Sequence, residues 1–429
     1  MEEQSEIYTY LPHDLISDIN MQSENTDVET PFERKIICAK NETIKDTKDT
    51  NTLCSNIKDK NTNFKLGSLS IDSFDYNSNF FPSTHNSNEY PIQNYFNSNP
   101  INNETMFHQF LSKLSSPLAN VMMSYPGSQY LQKMLPLMDS SSMSEMLSII
   151  GQNIKDIMCN CYGNYLMQKI IKLANIPQRL FILHMIQPHF IVVAKNISGT
   201  HCIQTFIDGI STKEEEDIIK KSIKGNLLDL SFNSNSTHII QRLISNITTN
   251  KRKYLVNFII SHFILLSKNL NGATVIKKFI AEISGTKIST IVLSIIEQAF
   301  FDMCTDQYAN YVIQYAIDTF GYNQCKSVID RILNSILLLG LEKYSSNVID
   351  KIILQIKQNN LYQFEKLISF LFFSKSNFNQ FNNNKYGQYV LINVIKLMSP
   401  MHKSMIKNTL INDIQFCENK CSKVIKYLE

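Results

Sequence analysis

From Met106 onward the chain carries apolar residues at i, i+3, i+4 and i+7, the period of a helix that buries one face. FILHMIQPHFIVVA (Phe181–Ala194) and YLVNFIISHFILLS (Tyr254–Ser267) are of this kind, and Pro188 marks a boundary or kink in the first. No long apolar/polar alternation occurs, and Gly and Pro number only 12 and 11, so residues 106–429 are expected to be all-α. Residues 1–105 show no sustained period of either kind. Stretches such as DYNSNFFPSTHNSNEY (Asp75–Tyr90) are polar with scattered aromatics and bury too little apolar surface to offset the entropy of ordering. They are expected to form a disordered tail, whose isolated Phe and Tyr residues are open to reading as docking motifs or as uncommitted chain.

The helical region is periodic at a second, longer scale. Eight segments align: PGSQYLQKML, YGNYLMQKII, SGTHCIQTFI, NSTHIIQRLI, NGATVIKKFI, YANYVIQYAI, YSSNVIDKII and YGQYVLINVI. Their second positions are Gly127, Gly163, Gly199, Ser236, Gly272, Ala309, Ser345 and Gly387, so the spacing is 36 or 37 in six of seven intervals and 42 in the last. The long interval predicts a loop insertion. Each unit carries one helix before the small residue and another starting at it. A unit of this size cannot bury its apolar face alone, so neighbours must stack into a solenoid. The small residue is explained by close backbone approach where the chain turns into the second helix.

Three columns follow the small residue. Column one is the next residue, column two the one after, and column three lies one helical turn beyond column one and shares its face. The triplets are Ser128/Gln129/Gln132, Asn164/Tyr165/Gln168, Thr200/His201/Gln204, Thr237/His238/Gln241, Ala273/Thr274/Lys277, Asn310/Tyr311/Gln314, Ser346/Asn347/Asp350 and Gln388/Tyr389/Ile392. The apolar pairs between columns two and three, such as Leu166–Met167, Ile239–Ile240 and Val312–Ile313, must face the core. A solvated face would mix Glu, Lys and Ser with the Gln that recurs in column three, and a buried inter-repeat ladder would not need Tyr or His in column two. Flat rings beside amides make a slot for a flat heterocycle: rings stack on bases, and Asn and Gln offer donor and acceptor to a Watson–Crick edge. Just beyond column three stand Lys133, Lys169, Arg242, Lys278 and Lys351, which read either as phosphate contacts or as solvated charge.

Charge sharpens this picture. The net charge of +3 hides 17 acidic and 8 basic residues in positions 1–105, which leaves 21 acidic and 33 basic in 106–429. A basic folded body suggests a polyanionic partner, nucleic acid before a membrane surface. Nine cysteines include no CxxC pair and no zinc-like spacing with His, so reduced thiols and an intracellular protein are expected. The start MEEQSEIYTY has neither the basic nor the apolar region of a signal peptide, and the apolar runs are too short to cross a bilayer. No Ser/His/Asp arrangement, phosphate loop, metal cluster or carboxylate pair stands out, so neither catalysis nor a cofactor is expected.

These segments resemble the repeats of the Pumilio (PUF) family, over roughly Met106–Glu429, and NKCSKVIKYLE (Asn419–Glu429) resembles that family's C-terminal cap. The resemblance implies a right-handed, curved α-solenoid of eight repeats with capping half-repeats, a monomer that binds single-stranded RNA antiparallel with one base per repeat. It implies uracil for Asn164/Gln168 and Asn310/Gln314, guanine for Ser346/Asp350, and adenine for Ser128/Gln132 and Thr200/Gln204. Thr237/Gln241 and Ala273/Lys277 leave the base open, and repeat eight takes uracil by family analogy. The implied element is 5′-U-G-U-N-N-A-U-A. It further implies a cytoplasmic regulator of mRNA translation or decay, acting through 3′ untranslated regions, with protein co-regulators recruited by the convex face or the tail. The rival readings are a HEAT- or armadillo-like protein scaffold and a nucleolar relative that binds structured RNA. The first leaves the register of Asn, Tyr and Gln unexplained, and the second is disfavoured by the readable triplets and by the lack of a basic nuclear-targeting cluster.

Overall fold

The computed structural model describes residues 103–114, 116–245, 253–412, 424 and 426–428. Nearly all of the expected tail, and most of the segment read as a C-terminal cap, lie outside the described residues. Among those described, every regular element is a helix. Helices α1 (Asn103–Ser112), α2 (Leu118–Met122) and α3 (Tyr125–Met134) open the stack. They are followed by α4 (Ser140–Ile150), α5 (Ile154–Cys159) and α6 (Gly163–Leu173), then α7 (Ile176–Ile186), α8 (Phe190–Lys195) and α9 (Gly199–Asp208). The middle comprises α10 (Lys213–Ile223), α11 (Leu227–Phe232), α12 (Thr237–Ile244), α13 (Lys253–Ser261), α14 (Phe263–Ser267) and α15 (Leu270–Ile283). Then come α16 (Ile288–Gln298), α17 (Phe300–Thr305), α18 (Ala309–Phe320), α19 (Tyr322–Asn334), α20 (Ile336–Leu339) and α21 (Ser345–Asn359). Helices α22 (Leu361–Phe372), α23 (Lys375–Asn382), α24 (Lys385–Leu397) and α25 (Pro400–Asn412) complete the series.

Each repeat therefore holds three helices rather than the expected two. The apolar run before the small residue is broken in the middle: Pro188 sits in a single 3₁₀ turn, Gln187–His189, between α7 and α8, and Gly151–Asn153 plays the same part between α4 and α5. The third helices, α3, α6, α9, α12, α15, α18, α21 and α24, pack each against the next in one continuous row. The 42-residue interval is not a loop insertion. The extra residues lengthen helices instead, α21 to 15 residues and α23 to 8, with only Asn360, Phe373–Ser374 and Asn383–Asn384 between helices.

The core runs the length of the stack. Leu166, Met167, Ile239, Ile240, Val312 and Ile313 are fully buried, as their position between columns two and three requires. The small residues sit where expected and for the expected reason. A Cβ on Gly163, Gly199, Gly272 or Gly387 would come within 2.4–2.6 Å of the carbonyl oxygen six residues earlier, that of Ile157, Val193, Leu266 or Phe381. None of these glycines has a positive φ; among the described residues only Gly285 and Gly321 do. The column is thus a matter of approach, not of left-handed backbone.

Ion pairs tie successive repeats in register. Arg242 pairs with Asp208 and Lys351 with Asp318, in each case from the third helix of one repeat to that of the one before. Lys195–Asp229 and Lys268–Asp302 repeat a second register, from the C-terminal end of one second helix to the next second helix. One pair is buried: Arg179 of α7 meets Glu215 of α10 and also donates to the Ile171, Phe206 and Gly209 carbonyls. Glu215 accepts in turn from the Ser211 and Thr212 amides. The five described cysteines carry free thiols, and burial pushes that of Cys325 up to about 12. No single described helix is long and apolar enough to cross a membrane.

Candidate nucleic-acid interface

Six of the eight third helices begin alike because one side chain fixes their first turn. Three residues before the small position, Asn160, Asn196, Asn233, Asn269, Asp306 and Asn384 each accept from two successive backbone amides, the last being that of the small residue, at 2.8–3.1 Å. These side chains occupy donors that a helix start otherwise leaves open. The column was legible in the sequence, as Asn or Asp at a fixed offset, but sequence reasoning passed over it. With the first turn held, the three columns fall on the same faces in repeat after repeat.

Column one is buried in seven repeats and half-buried at Gln388 in the eighth. Ser128, Asn164, Thr200, Thr237, Asn310 and Ser346 are 0–4% exposed. Ser128, Thr200 and Thr237 donate to the carbonyls of Tyr162, Asn235 and Asn271, each the residue just before the small position of the following repeat, at 2.9, 3.0 and 3.5 Å. Asn164 spends both amide protons on the Asn160 and Cys161 carbonyls, and Asn310 donates to that of Asp306. The inter-repeat ladder thus exists in this column. Column two is open instead: Gln129, Tyr165, His201, His238, Thr274, Tyr311 and Tyr389 are exposed, the three tyrosines by 44–54%, and Asn347 is half-buried. Of the described residues in this column, only Thr274 and Tyr389 hydrogen-bond to a neighbouring repeat.

Column three lies between these extremes, half-buried in all eight repeats. In four repeats its amide reaches back one turn to column one: Gln132 to Ser128, Gln168 to Asn164, Gln204 to Thr200 and Gln314 to Asn310, at 3.1–3.3 Å. Each bond orients the glutamine and leaves its Oε1 without a partner among the described residues. A fixed acceptor beside a donor, framed by exposed flat side chains, matches the Watson–Crick edge of an unstacked base.

The departing repeats have distinct local chemistry. In repeat five Lys277 lies over the Tyr311 ring, 5.6 Å from its centroid, and Gln241 of repeat four donates across to Thr274 at 3.1 Å. Burial pulls the Lys277 ammonium below its ordinary value. In repeat seven Asp350 accepts from Asn393 at 2.6 Å and from the Tyr389 hydroxyl at 3.3 Å. Burial raises its carboxyl above the usual range, against the lowering pull of those two donors and of Lys396 and Lys351. In repeat eight Gln388 donates to the Asn382 carbonyl while Ile392 packs against the core. His201 is held below the ordinary histidine value by burial and then by His238.

Two further residues escaped sequence reasoning. Tyr125 accepts from Gln129 and lies edge-on to Tyr162 at 5.6 Å, adding exposed rings at the start of the row. Asn393 sits one position past column three. The basic side chains beyond that column are engaged in the protein: Arg242 and Lys351 in the pairs above, Lys278 with Glu282, and Lys169 with the Gln132 carbonyl. Among the described residues no group of three or more His, Cys, Asp or Glu side chains is placed to hold a metal ion.

Three segments, residues 153–187, 226–260 and 299–333, match the family model described as the Pumilio-family RNA binding repeat. A Pumilio domain-containing protein of Schizosaccharomyces pombe is 25% identical over 227 residues, 53% of this chain and 33% of that protein. Pumilio homolog 12 of Arabidopsis thaliana is also 25% identical, over 52% of this chain and 38% of its own length. The chain thus spans little more than a third of these curated relatives. Among solved structures, the Puf4 RNA binding domain bound to an HO endonuclease RNA 3′ UTR recognition sequence superposes with a TM-score of 0.59 at 21% identity, covering 73% of this chain and 99% of that one. The RNA-binding domain of yeast Puf5p bound to SMX2 RNA gives 0.61 at 21% identity, over 74% of this chain and 96% of that one. At these identities the likeness is one of fold.

Proposed function

We propose, for a chain that belongs to the Pumilio repeat family, that the face lined by the third helices binds single-stranded RNA and reads it one base per repeat. The observation that carries this reading is the recurrence of one arrangement along the row: an exposed flat side chain in column two beside an oriented, half-buried amide in column three. Stacking supplies affinity that tolerates any base, and the amide edge supplies discrimination.

Read antiparallel, the triplets specify 5′-U-G-U-N-N-A-U-A, with Asp350 accepting from guanine and Asn310/Gln314 and Asn164/Gln168 facing uracils. The element fits mRNA 3′ untranslated regions, where a bound, non-catalytic monomer in the cytoplasm alters translation or decay by bringing in other proteins. The test is direct binding of the full chain to short RNAs that carry UGU or UAU in the same context. A clear preference for UGU is the expected result; equal affinity for both removes Asp350 from the reading, and no binding to either removes the function.

A further inference from the structure

We propose that Asn393 is a positioning residue for Asp350, so that the guanine-reading group of repeat seven is shared between repeats seven and eight. The inference rests on the RNA-reading function proposed above and deepens it at one position. In four repeats the column-three amide bonds to column one of its own helix. Repeat seven breaks that pattern. Ser346 turns to the Lys343 carbonyl, and Asp350 on α21 is drawn across to α24, where Asn393 Nδ2 meets one carboxylate oxygen at 2.6 Å and the Tyr389 hydroxyl meets the other at 3.3 Å.

The same contact accounts for an oddity of repeat eight. Its column-three residue, Ile392, reads no edge and packs against the core. The polar group has moved one position along the helix, to Asn393, and serves the neighbouring repeat instead. Asp350 is also the shortest side chain in column three that can accept from a base edge, so its direction matters more than that of a longer, self-adjusting arm. A carboxylate oxygen has two lone pairs, and each oxygen here still has one to offer after its bond within the protein. Both can therefore accept from guanine N1–H and N2–H₂ while Asn393 and Tyr389 fix the plane.

Holding the group ionised is the second part of the role. Half-burial disfavours the charge, and the groups opposing it are Tyr389, Asn393, Lys396 and Lys351, the last already paired with Asp318. A protonated carboxyl would turn one acceptor into a donor facing guanine donors. Removing Asn393 thus costs both aim and charge.

The experiment compares the full chain with its Asn393→Leu and Asn393→Asp variants, using RNAs with G or A opposite repeat seven and U or A opposite repeat six, between about pH 5.5 and 8. Asn393→Leu is expected to lose about tenfold of the preference for G over A, and its affinity for the G-containing RNA is expected to fall at a higher pH on acidification than that of the parent. Asn393→Asp sets a like charge against Asp350 and should lose at least as much at neutral pH. The preference for U opposite repeat six should stand in both variants, which shows that they are folded. A parent that prefers G alongside variants with the same preference and pH profile overturns the inference alone. A parent indifferent between G and A removes Asp350 from the reading and the inference with it, while a parent that binds none of the RNAs overturns the reading function.

Discussion

The Ser236 hydroxyl donates to the Leu230 carbonyl, six residues back, at 2.9 Å, and Ser345 does the same to Leu339. That is the carbonyl position against which a Cβ on the corresponding glycines would press. Where the small residue is glycine the helix turn closes on its backbone; where it is serine the turn stands off far enough for a hydroxyl to bridge the gap. Gly163→Val, with its Cβ 2.5 Å from the Ile157 oxygen, is therefore expected to destabilise by about 1–3 kcal/mol or more. Ser236→Ala should lose about 1 kcal/mol by stranding the Leu230 carbonyl. Urea unfolding of the two variants checks the order.

The buried pair Arg179–Glu215 makes a different prediction. Burial by itself would raise the Glu215 carboxyl, but the Ser211 amide, the Arg179 guanidinium and the Thr212 amide together hold it below the ordinary value. Stability from this group is then present above the unfolded-state pKa and lost as pH falls through the lower folded one. Glu215→Gln should cost about 3–5 kcal/mol near neutrality by leaving Arg179 buried and uncompensated. It should also flatten the acid limb of stability against pH, as thermal unfolding at a series of pH values would record.

Repeats five and six should respond unequally to the base they face. Tyr311→Ala removes an exposed ring and is expected to weaken RNA binding by about 1–3 kcal/mol. Repeat five offers no ring of its own, and Lys277 already lies over that of Tyr311. Changing the base opposite it should therefore alter affinity by less than the roughly 1–3 kcal/mol typical of a mismatch, as fluorescence-anisotropy titration of single-base variants would measure.

Exchanging the pair Ser346/Asp350 for Asn/Gln copies the chemistry of repeats two and six into repeat seven. Preference at that base should shift from G to U, with the other positions unaltered, in a selection from a randomised RNA pool. An unshifted preference would refute position-by-position reading.

Much of this was written in local spacing. The 36- or 37-residue period places Gly127 through Ser345 in one column, and helical geometry then sends Leu166 and Met167 inward and Tyr165 outward. The third helix was signalled at Pro188, the expected boundary or kink, which the structure realises as the single 3₁₀ turn between α7 and α8. Between α13 and α14 no Pro or Gly marks the break, and there it was hidden. The last interval misled for a related reason: a count of residues does not say whether they lengthen a loop or, as in α21 and α23, a helix.

What the sequence by itself determined is therefore which residue types share a face, since that depends on 3.6 residues per turn and nothing further along the chain. Only the tertiary structure decided which of them touch. Gln241 and Thr274 are 33 residues apart, Lys351 and Asp318 likewise, and Asp350 and Asn393 are 43. Their meeting depends on the rise and rotation from one repeat to the next, which set the distance between helices that no local pattern encodes. Column one shows the same division: its place was readable, but its burial against the following repeat follows from how closely the third helices stack.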